Sequence, residues 1–110
     1  MAKLAATTYA GLDAFLGSKT SRTIGNNTTA ARYGDEIVVR LHGNRIVRLS
    51  ATEVEVSDAG WPSVTTKERL NQFLPVGYRI VSKNFRWMVL SDDGPDWAWN
   101  GSATFPRYGD

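Results

Sequence analysis

The sequence contains no cysteine and a single histidine, His42. The absence of cysteine excludes disulfide bonds, thiolate catalysis and cysteine-ligated zinc, and it fits a reducing compartment. One histidine without a neighbouring pair of carboxylates makes a poor metal site. We therefore predict no metal and no other cofactor, and we expect His42 to end a hairpin with a ring nitrogen bonded to the backbone.

Long apolar runs are also missing. No stretch approaches the ~20 apolar residues that a membrane-spanning helix needs. The first ten residues, M-A-K-L-A-A-T-T-Y-A, lack the long apolar core of a secretory signal. We therefore expect a protein that contacts no membrane and acts in the cytoplasm of the cell that makes it.

Neither sign of charge dominates, because 13 basic and 11 acidic residues leave a net charge of +2. The distribution is uneven. Twelve basic and seven acidic residues give residues 1–90 a charge of +5, whereas one basic and four acidic residues give residues 91–110 a charge of −3. A basic body can meet a polyanion such as nucleic acid. The alternative is that dispersed Arg and Glu only keep a sheet soluble.

What the sequence does contain is enough apolar material for one core. With 110 residues, 42% of them hydrophobic and four of them Trp, the chain can bury a core without metal or disulfide bonds. We predict a single domain over residues 1–110, in which residues 1–7 and 104–110 are loosely ordered.

The first half of the chain predicts one helix followed by strands. Thr8 is a good N-cap for a helix that ends at Leu16, with Gly17 at the C′ position. Leu12, Phe15 and Leu16 share one face of that helix. Residues 18–34 are polar, and they predict a loop followed by an edge strand near Thr28–Tyr33.

Alternation of apolar and polar residues predicts a hairpin of Glu36–Leu41 and Arg45–Leu49. A three-residue turn, with Asn44 in the left-handed position, gathers the apolar side chains on one face: Ile37, Val39, Leu41, Val47 and Leu49. Residues 53–56 continue the meander and place Glu53 and Glu55 across from Arg40 and Arg48.

The second half predicts a helix and another hairpin. Thr65 and Glu68 stand in capping-box register, so we expect a helix from Thr65 to about Leu74, with Trp61 in the core beneath the preceding turn. The next hairpin joins strands at Tyr78–Ser82 and Phe85–Leu90 around Lys83-Asn84, and its second strand is apolar on both faces, as a covered central strand would be. A short last strand is expected around Trp97 and Trp99.

These elements predict an α+β fold: an antiparallel meander of about five strands with two short helices packed on one face. The start of the second helix is the candidate anion site, because free backbone N–H groups attract anions there. We expect the first loop to fold over the first hairpin and bring further groups to this start. The full candidate set for anion or nucleic-acid binding is Thr65, Thr66, Lys67, Arg69, Arg40, Arg22, Lys19 and Asn27.

Other polar clusters have simpler interpretations. Asn26, Asn27 and Thr28 could contact bases or phosphates, but these residue types are also typical of turns and strand entries. Asp92, Asp93 and Asp96 lack the spacing of a calcium loop, which favours a solvated acidic turn.

Three stretches resemble a family of small bacteriophage proteins that is frequent among phages of actinobacteria. They are L-G-S-K-T-S-R-T-I-G-N-N-T at 16–28, E-I-V-V-R-L-H at 36–42, and G-W-P-S-V-T-T-K-E-R-L-N at 60–71 followed by Q-F-L. The resemblance covers about residues 12–90, although Ser50-Ala51-Thr52 stands where relatives carry an Asp-Gly turn. It implies a phage origin, and hence the host cytoplasm, but no mechanism.

The leading hypothesis is a non-enzymatic protein that binds nucleic acid by phosphate contacts at the basic helix start. The alternative is a module that binds a host protein through exposed aromatic side chains, with Trp97 and Trp99 as anchors. An enzyme is the third hypothesis, and we expect no enzyme because no acid–base pair, nucleophile or metal cluster is recognisable. Oligomeric state is not predicted by the sequence.

Overall fold

The computed structural model describes residues 3–107. These residues form two helices and nine strands, in the order α1 (Tyr9–Leu16), β1 (Ser21–Gly25), β2 (Thr28–Tyr33), β3 (Glu36–Leu41), β4 (Asn44–Leu49), β5 (Glu53–Ser57), α2 (Val64–Phe73), β6 (Tyr78–Lys83), β7 (Arg86–Ser91), β8 (Trp97–Ala98) and β9 (Ser102–Pro106).

The strands form two antiparallel sheets rather than one. The larger sheet has the order β1-β2-β3-β4-β5-β9, and the smaller has the order β6-β7-β8. The expected meander is therefore present in β1–β5, but the chain then leaves the large sheet and returns to it with β9. At the point of departure and return, the backbone N–H of Asp58 donates to the carbonyl of Gly101 at 3.0 Å. We call this contact the neck.

One hydrophobic core fills the space between the large sheet, both helices and the small sheet. Alternation along the strands explains it, because successive side chains point to opposite faces. The core face of the large sheet carries Ile37, Val39, Leu49 and Val54, all fully buried. Both helices pack on this face, as the sequence predicts, and they contribute a further set of buried side chains: Leu12, Leu16, Leu70 and Phe73.

The predicted caps of α1 are confirmed. The hydroxyl of Thr8 accepts a hydrogen bond from the backbone N–H of Gly11 at 3.0 Å. Gly17 ends the helix with a φ of 57°, a left-handed value that glycine adopts without strain. The strand predicted at Thr28–Tyr33 is also present, but it is not an edge strand, because Ser21–Gly25 forms β1 beside it.

The β3–β4 turn differs from the prediction. It contains two residues, His42 and Gly43, with φ values of 52° and 82°, so Asn44 begins β4 instead of occupying the left-handed position. A bulge in β4, opposite the step from Val39 to Arg40, then restores the expected register, in which Val39 faces Val47. Because the bulge adds the residue that the turn omits, the predicted apolar face is confirmed although the predicted turn is wrong.

Helix α2 begins earlier than predicted, because Ser63 and not Thr65 is the N-cap. The Ser63 hydroxyl accepts a hydrogen bond from the backbone N–H of Thr66 at 3.1 Å. Thr66 lies three residues after the N-cap, where a capping box has Glu or Gln. Trp61 was expected in the core, but its side chain is 74% exposed. It follows Ala59 and Gly60, whose positive φ values form the turn before α2.

The small sheet contains the second predicted hairpin, with its turn at Asn84-Phe85 and not at Lys83-Asn84. Strand β7 is central, as expected, but only Val89 in it is fully buried, so the predicted cover on both faces is incomplete. The outer edge of β6 is occupied by the amide of Asn71, which accepts from the Ile80 N–H at 2.7 Å and donates to the Ile80 carbonyl at 2.8 Å.

The two ends of the chain contribute to the core. Leu4 is buried, and the N–H of Ala5 donates to the carbonyl of Ile24 at 2.8 Å. Residues 104–110 were expected to be loosely ordered, yet Thr104, Phe105 and Pro106 lie in β9, where Phe105 is buried against Val54. This strand was not predicted because it has only five residues and ends at a proline. Residues 1–2 and 108–110, which the same prediction covers, lie outside the described residues.

Candidate nucleic-acid interface

The candidate residues from the sequence do not form one site. Arg69 lies on the core side of α2 and is only 5% exposed. Its Nε donates to the hydroxyl of Thr28 at 3.1 Å, and its Nη2 donates to the carbonyl of Asn26 at 3.3 Å. These bonds connect α2 to the β1–β2 turn and satisfy a buried guanidinium. Arg69 therefore has a structural role here.

The start of α2 offers donors, but an acid lies beside them. Thr65 is exposed and Lys67 is half-buried, whereas Thr66 is buried and donates its hydroxyl to the carbonyl of Trp61 at 3.2 Å. Thr65 and Thr66 line a small pocket of about 130 Å³ that also contains Asp58. A carboxylate in the same pocket opposes the binding of a phosphate.

Arg22 and Arg40 lie on opposite faces of the large sheet, because Arg22 pairs with Ala30, whose partner Val39 faces the core. The first loop does not fold over the hairpin but forms β1. The Nη1 of Arg22 donates to the carbonyl of Phe15 at 2.9 Å, and the guanidinium lies 4.1 Å from the Phe15 ring centroid. Arg22 thus stabilises the carboxyl end of α1.

Arg32 has a similar role, since it forms an ion pair with Asp13 and donates to the carbonyl of Gly17 at 3.1 Å. Lys19 is exposed nearby, without an ion pair among residues 3–107.

Asn27 is exposed in the β1–β2 turn with a φ of 54°. Its carbonyl accepts from the backbone N–H of His42 at 2.8 Å, so the two turns contact each other. A ring nitrogen of His42 was expected to bond to the backbone, but within residues 3–107 it is the main-chain N–H of His42 that makes such a bond. The turn interpretation of Asn27 accounts for both observations.

The outer face of the large sheet, opposite the core face, contains two groups of charge. In the first, Arg48 binds three carboxylates: Nε contacts Glu55 at 3.1 Å, Nη1 contacts Glu36 at 2.5 Å and Nη2 contacts Glu53 at 3.4 Å. Hydrogen bonding to Glu55, and then to Glu36 and Glu53, raises the pKa of Arg48 above its usual value, against the opposing effect of burial. With one arginine and three carboxylates, this group carries net negative charge and offers no free cation.

The second group is basic. Strand register places Arg40 directly opposite Arg45 on the outer face. The Nη1 of Arg40 donates to the hydroxyl of Tyr33 at 3.2 Å, and its guanidinium carbon lies 5.4 Å from the Tyr33 ring centroid. Tyr33 is 53% exposed. The Arg45 side chain is exposed and forms no ion pair or hydrogen bond within the described part of the chain. We call Tyr33, Arg40 and Arg45 the outer-face basic group.

Sequence reasoning missed Arg45 as a site residue. With a three-residue turn, Arg45 would have faced Leu41 and belonged to the core face. The bulge in β4 transfers it to the outer face beside Arg40. A bulge has no clear sequence signal here, so alternation alone could not have found the pair.

The two tryptophans proposed as partner anchors are each held by neighbours. Trp97 is 39% exposed and packs edge-on against Tyr78, with ring centroids 6.2 Å apart. Trp99 is half-buried beside Trp87, and its Nε1 donates to the carboxylate of Asp58 at 2.9 Å. Trp99 therefore reinforces the neck.

Metal-binding groups do not assemble among residues 3–107. No cluster of three or more His, Asp or Glu side chains there could hold a metal ion. His42 follows the end of β3, whereas Glu36 begins that strand. Neither α1 nor α2 has the length and apolar character to span a membrane.

Comparison with known proteins gives one family match. Residues 5–105 match the family described as Kyanoviridae Gp96 protein. No curated protein and no solved structure matches the chain. The match covers all nine strands and both helices except the last residue of β9.

Proposed function

The chain belongs to the Kyanoviridae Gp96 protein family, a family of phage proteins, and on this premise we propose that it is a non-enzymatic protein that binds nucleic acid through phosphate contacts. We expect it to act in the host cytoplasm. The narrower origin that the sequence resemblance implied, a phage of actinobacteria, stays a prediction.

The observation that carries the proposal is the Arg40–Arg45 pair. Two like charges directly opposite each other on adjacent strands destabilise a sheet. A phosphate between them would relieve the repulsion and accept charge-assisted hydrogen bonds from both guanidinium groups. Arg48, in contrast, is already neutralised by its three carboxylates and offers nothing further to an anion.

Tyr33 adds an exposed aromatic ring beside the pair. Bases stack on such rings without regard to sequence, and a groove or face that combines cations with aromatic rings is typical of single-strand binding. Because phosphate contacts position a ligand without reading bases, we expect little sequence preference. The outer-face basic group thus replaces the helix start as the centre of the proposed site, with Arg40 common to both.

The test is fluorescence anisotropy of the full chain with labelled oligothymidine, duplex DNA and RNA at low and near-physiological salt. The Arg40→Gln/Arg45→Gln variant should weaken binding to the single strand, and the slope of log K against log salt should fall by about 0.7 for each lost phosphate contact. Tyr33→Ala should weaken binding further only for single strands. Lys67→Gln separately tests the helix start.

The matched control is Lys83→Gln/Arg86→Gln, which removes the same charge from a cation pair on the small sheet. If both double variants reduce binding equally, the effect is one of net charge and the outer-face basic group is not the site. Absence of binding by the unmodified chain at low salt would overturn the proposal.

A further inference from the structure

The tip of the β6–β7 hairpin contains an unusual residue in a strained position. Asn84 and Phe85 form a two-residue turn with φ values of 53° and 64°. Asparagine tolerates the left-handed region, but the second position of such a turn normally holds glycine. A bulky side chain there is strained. Phe85 nevertheless occupies this position with its side chain fully exposed, so neither folding nor core packing accounts for it.

Two cations flank the turn. Lys83 and Arg86 face each other across the hairpin, on one face of the small sheet. Neither side chain forms an ion pair or a hydrogen bond with another described residue. The same face of β6 and β7 also carries Arg79 and the half-buried apolar side chains Val81, Met88 and Leu90. No acidic residue belongs to that face of the two strands.

An apolar groove of about 600 Å³ begins at this tip. Phe85 and Arg86 line one end, and Met88, Trp87 and Trp99 are among the residues that line the rest. The groove exists because β8 has only two residues, and it therefore leaves part of β7 uncovered. The Asp58 carboxylate also lies in the groove, where it accepts from the backbone N–H of Gly60 at 2.7 Å.

We propose that this groove and the Lys83–Arg86 tip form a docking site for an acidic protein segment that carries an apolar side chain. The apolar side chain enters the groove beside Phe85, and the acidic residues on either side pair with Lys83 and Arg86. Exposed aromatic residues beside arginine are typical of binding hot spots. The apolar lining suits an apolar side chain and not a phosphate chain. The Asp58 carboxylate already accepts hydrogen bonds from the Gly60 N–H and the Trp99 Nε1. This site lies on the other sheet from the outer-face basic group, and it does not depend on the proposed nucleic-acid function.

The test uses three fluorescein-labelled peptides of equal length with one Phe at the centre, flanked by Asp and Glu, by Ser and Gln, or by Lys and Arg. Labelled oligothymidine serves as a fourth probe. We expect the acidic peptide to bind the full chain at least about tenfold more tightly than the neutral one, and its binding should weaken as salt is raised. The basic peptide should not bind.

Two variants locate the site. Phe85→Gly changes the turn to Asn-Gly, the pair that suits it best, so loss of folding will not confuse the result. It should reduce affinity for the acidic peptide by roughly tenfold or more. Lys83→Gln/Arg86→Gln should remove the preference for the acidic over the neutral peptide, whereas Arg40→Gln/Arg45→Gln, the matched charge change on the large sheet, should leave it intact.

Several outcomes would overturn the proposal. They are equal binding of all three peptides, unchanged affinity in Phe85→Gly, and loss of the preference in the Arg40→Gln/Arg45→Gln control. Binding of oligothymidine that depends on Phe85 and Lys83, without binding of the acidic peptide, would identify the tip as a nucleic-acid site instead.

Discussion

Two hairpins of this protein, β3–β4 and β6–β7, solve the same turn problem in different ways. Each reverses the chain with two residues that both have positive φ: His42-Gly43 between β3 and β4, and Asn84-Phe85 between β6 and β7. The first turn ends in glycine, which adopts the left-handed region without strain. The second ends in a fully exposed phenylalanine.

The two turns also differ in the contacts that hold them. The His42 turn is held by its neighbours, since its N–H bonds to Asn27. The Asn84 turn has no such support among the described residues, and it presents an aromatic ring to solvent between two cations. A strained residue that contributes no packing is expected where binding, and not folding, determines the side chain.

The largest expected effect concerns whether the two hairpins unfold together. Ile37 in the first and Ile80 in the second are both buried, so Ile37→Ala and Ile80→Ala should each lower the free energy of unfolding by about 2–5 kcal/mol. If the chain is one domain, both variants shift a single chemical-denaturation transition. Two separate transitions, with Ile80→Ala affecting only one, would contradict the single-domain prediction. Val76→Ala, at a fully exposed position, is the control.

Gly43→Phe places phenylalanine at the second position of the β3–β4 turn, the position that Phe85 occupies in the β6–β7 turn. A Cβ at Gly43 would meet nothing within 4 Å, so the cost comes from the backbone at its φ of 82°. We expect a loss of about 1–2 kcal/mol in chemical denaturation. Gly43→Asn, which tolerates the left-handed region, should cost less. Equal costs for Phe and Asn would show that the turn imposes no such constraint.

The reverse exchange, Phe85→Gly, should stabilise the protein. Relief of the left-handed strain is partly offset by the greater backbone entropy of glycine in the unfolded chain, which leaves a gain of about 1 kcal/mol or less. Thermal unfolding should show a rise of a few degrees at most. A fall in the melting temperature would mean that Phe85 makes stabilising contacts, and it would weaken the case for a binding role.

The smallest effects concern the two cation pairs. Arg45→Glu and Lys83→Glu each convert a like-charge pair into an opposite-charge pair, and each should gain about 0.2–1 kcal/mol of stability. The gain should shrink at high salt, because exposed charges are screened. Gains that persist in high salt would point to a cause other than charge.

Sequence reasoning predicted local elements well and their assembly less well. Capping at Thr8, the alternation in β3 and β4, and the shared face of Leu12 and Leu16 in α1 all follow from local rules. The second sheet and the return of β9 depend on contacts between residues about 50 positions apart, such as Val54 with Phe105, and no local pattern encodes them.

The candidate site illustrates the same limit. Arg69 has the sequence context of a ligand-binding residue. Its side chain is nevertheless held in the interior by hydrogen bonds to Thr28 and Asn26, which are distant in sequence. Arg45 has the context of a core-facing strand position, but a bulge places it outside. In both cases tertiary structure decided the direction of the side chain.

The neck also has a consequence for how this fold can vary. The chain from Ala59 to Asn100 departs from Asp58 and returns to Gly101, and these two residues are hydrogen-bonded. The entropy of closing a flexible loop grows only with the logarithm of its length, by about 0.6 kcal/mol for each doubling. Extra residues at the Asn84-Phe85 tip would therefore leave the pairing of β5 with β9 almost unaffected, so this tip can change in length while the large sheet is kept.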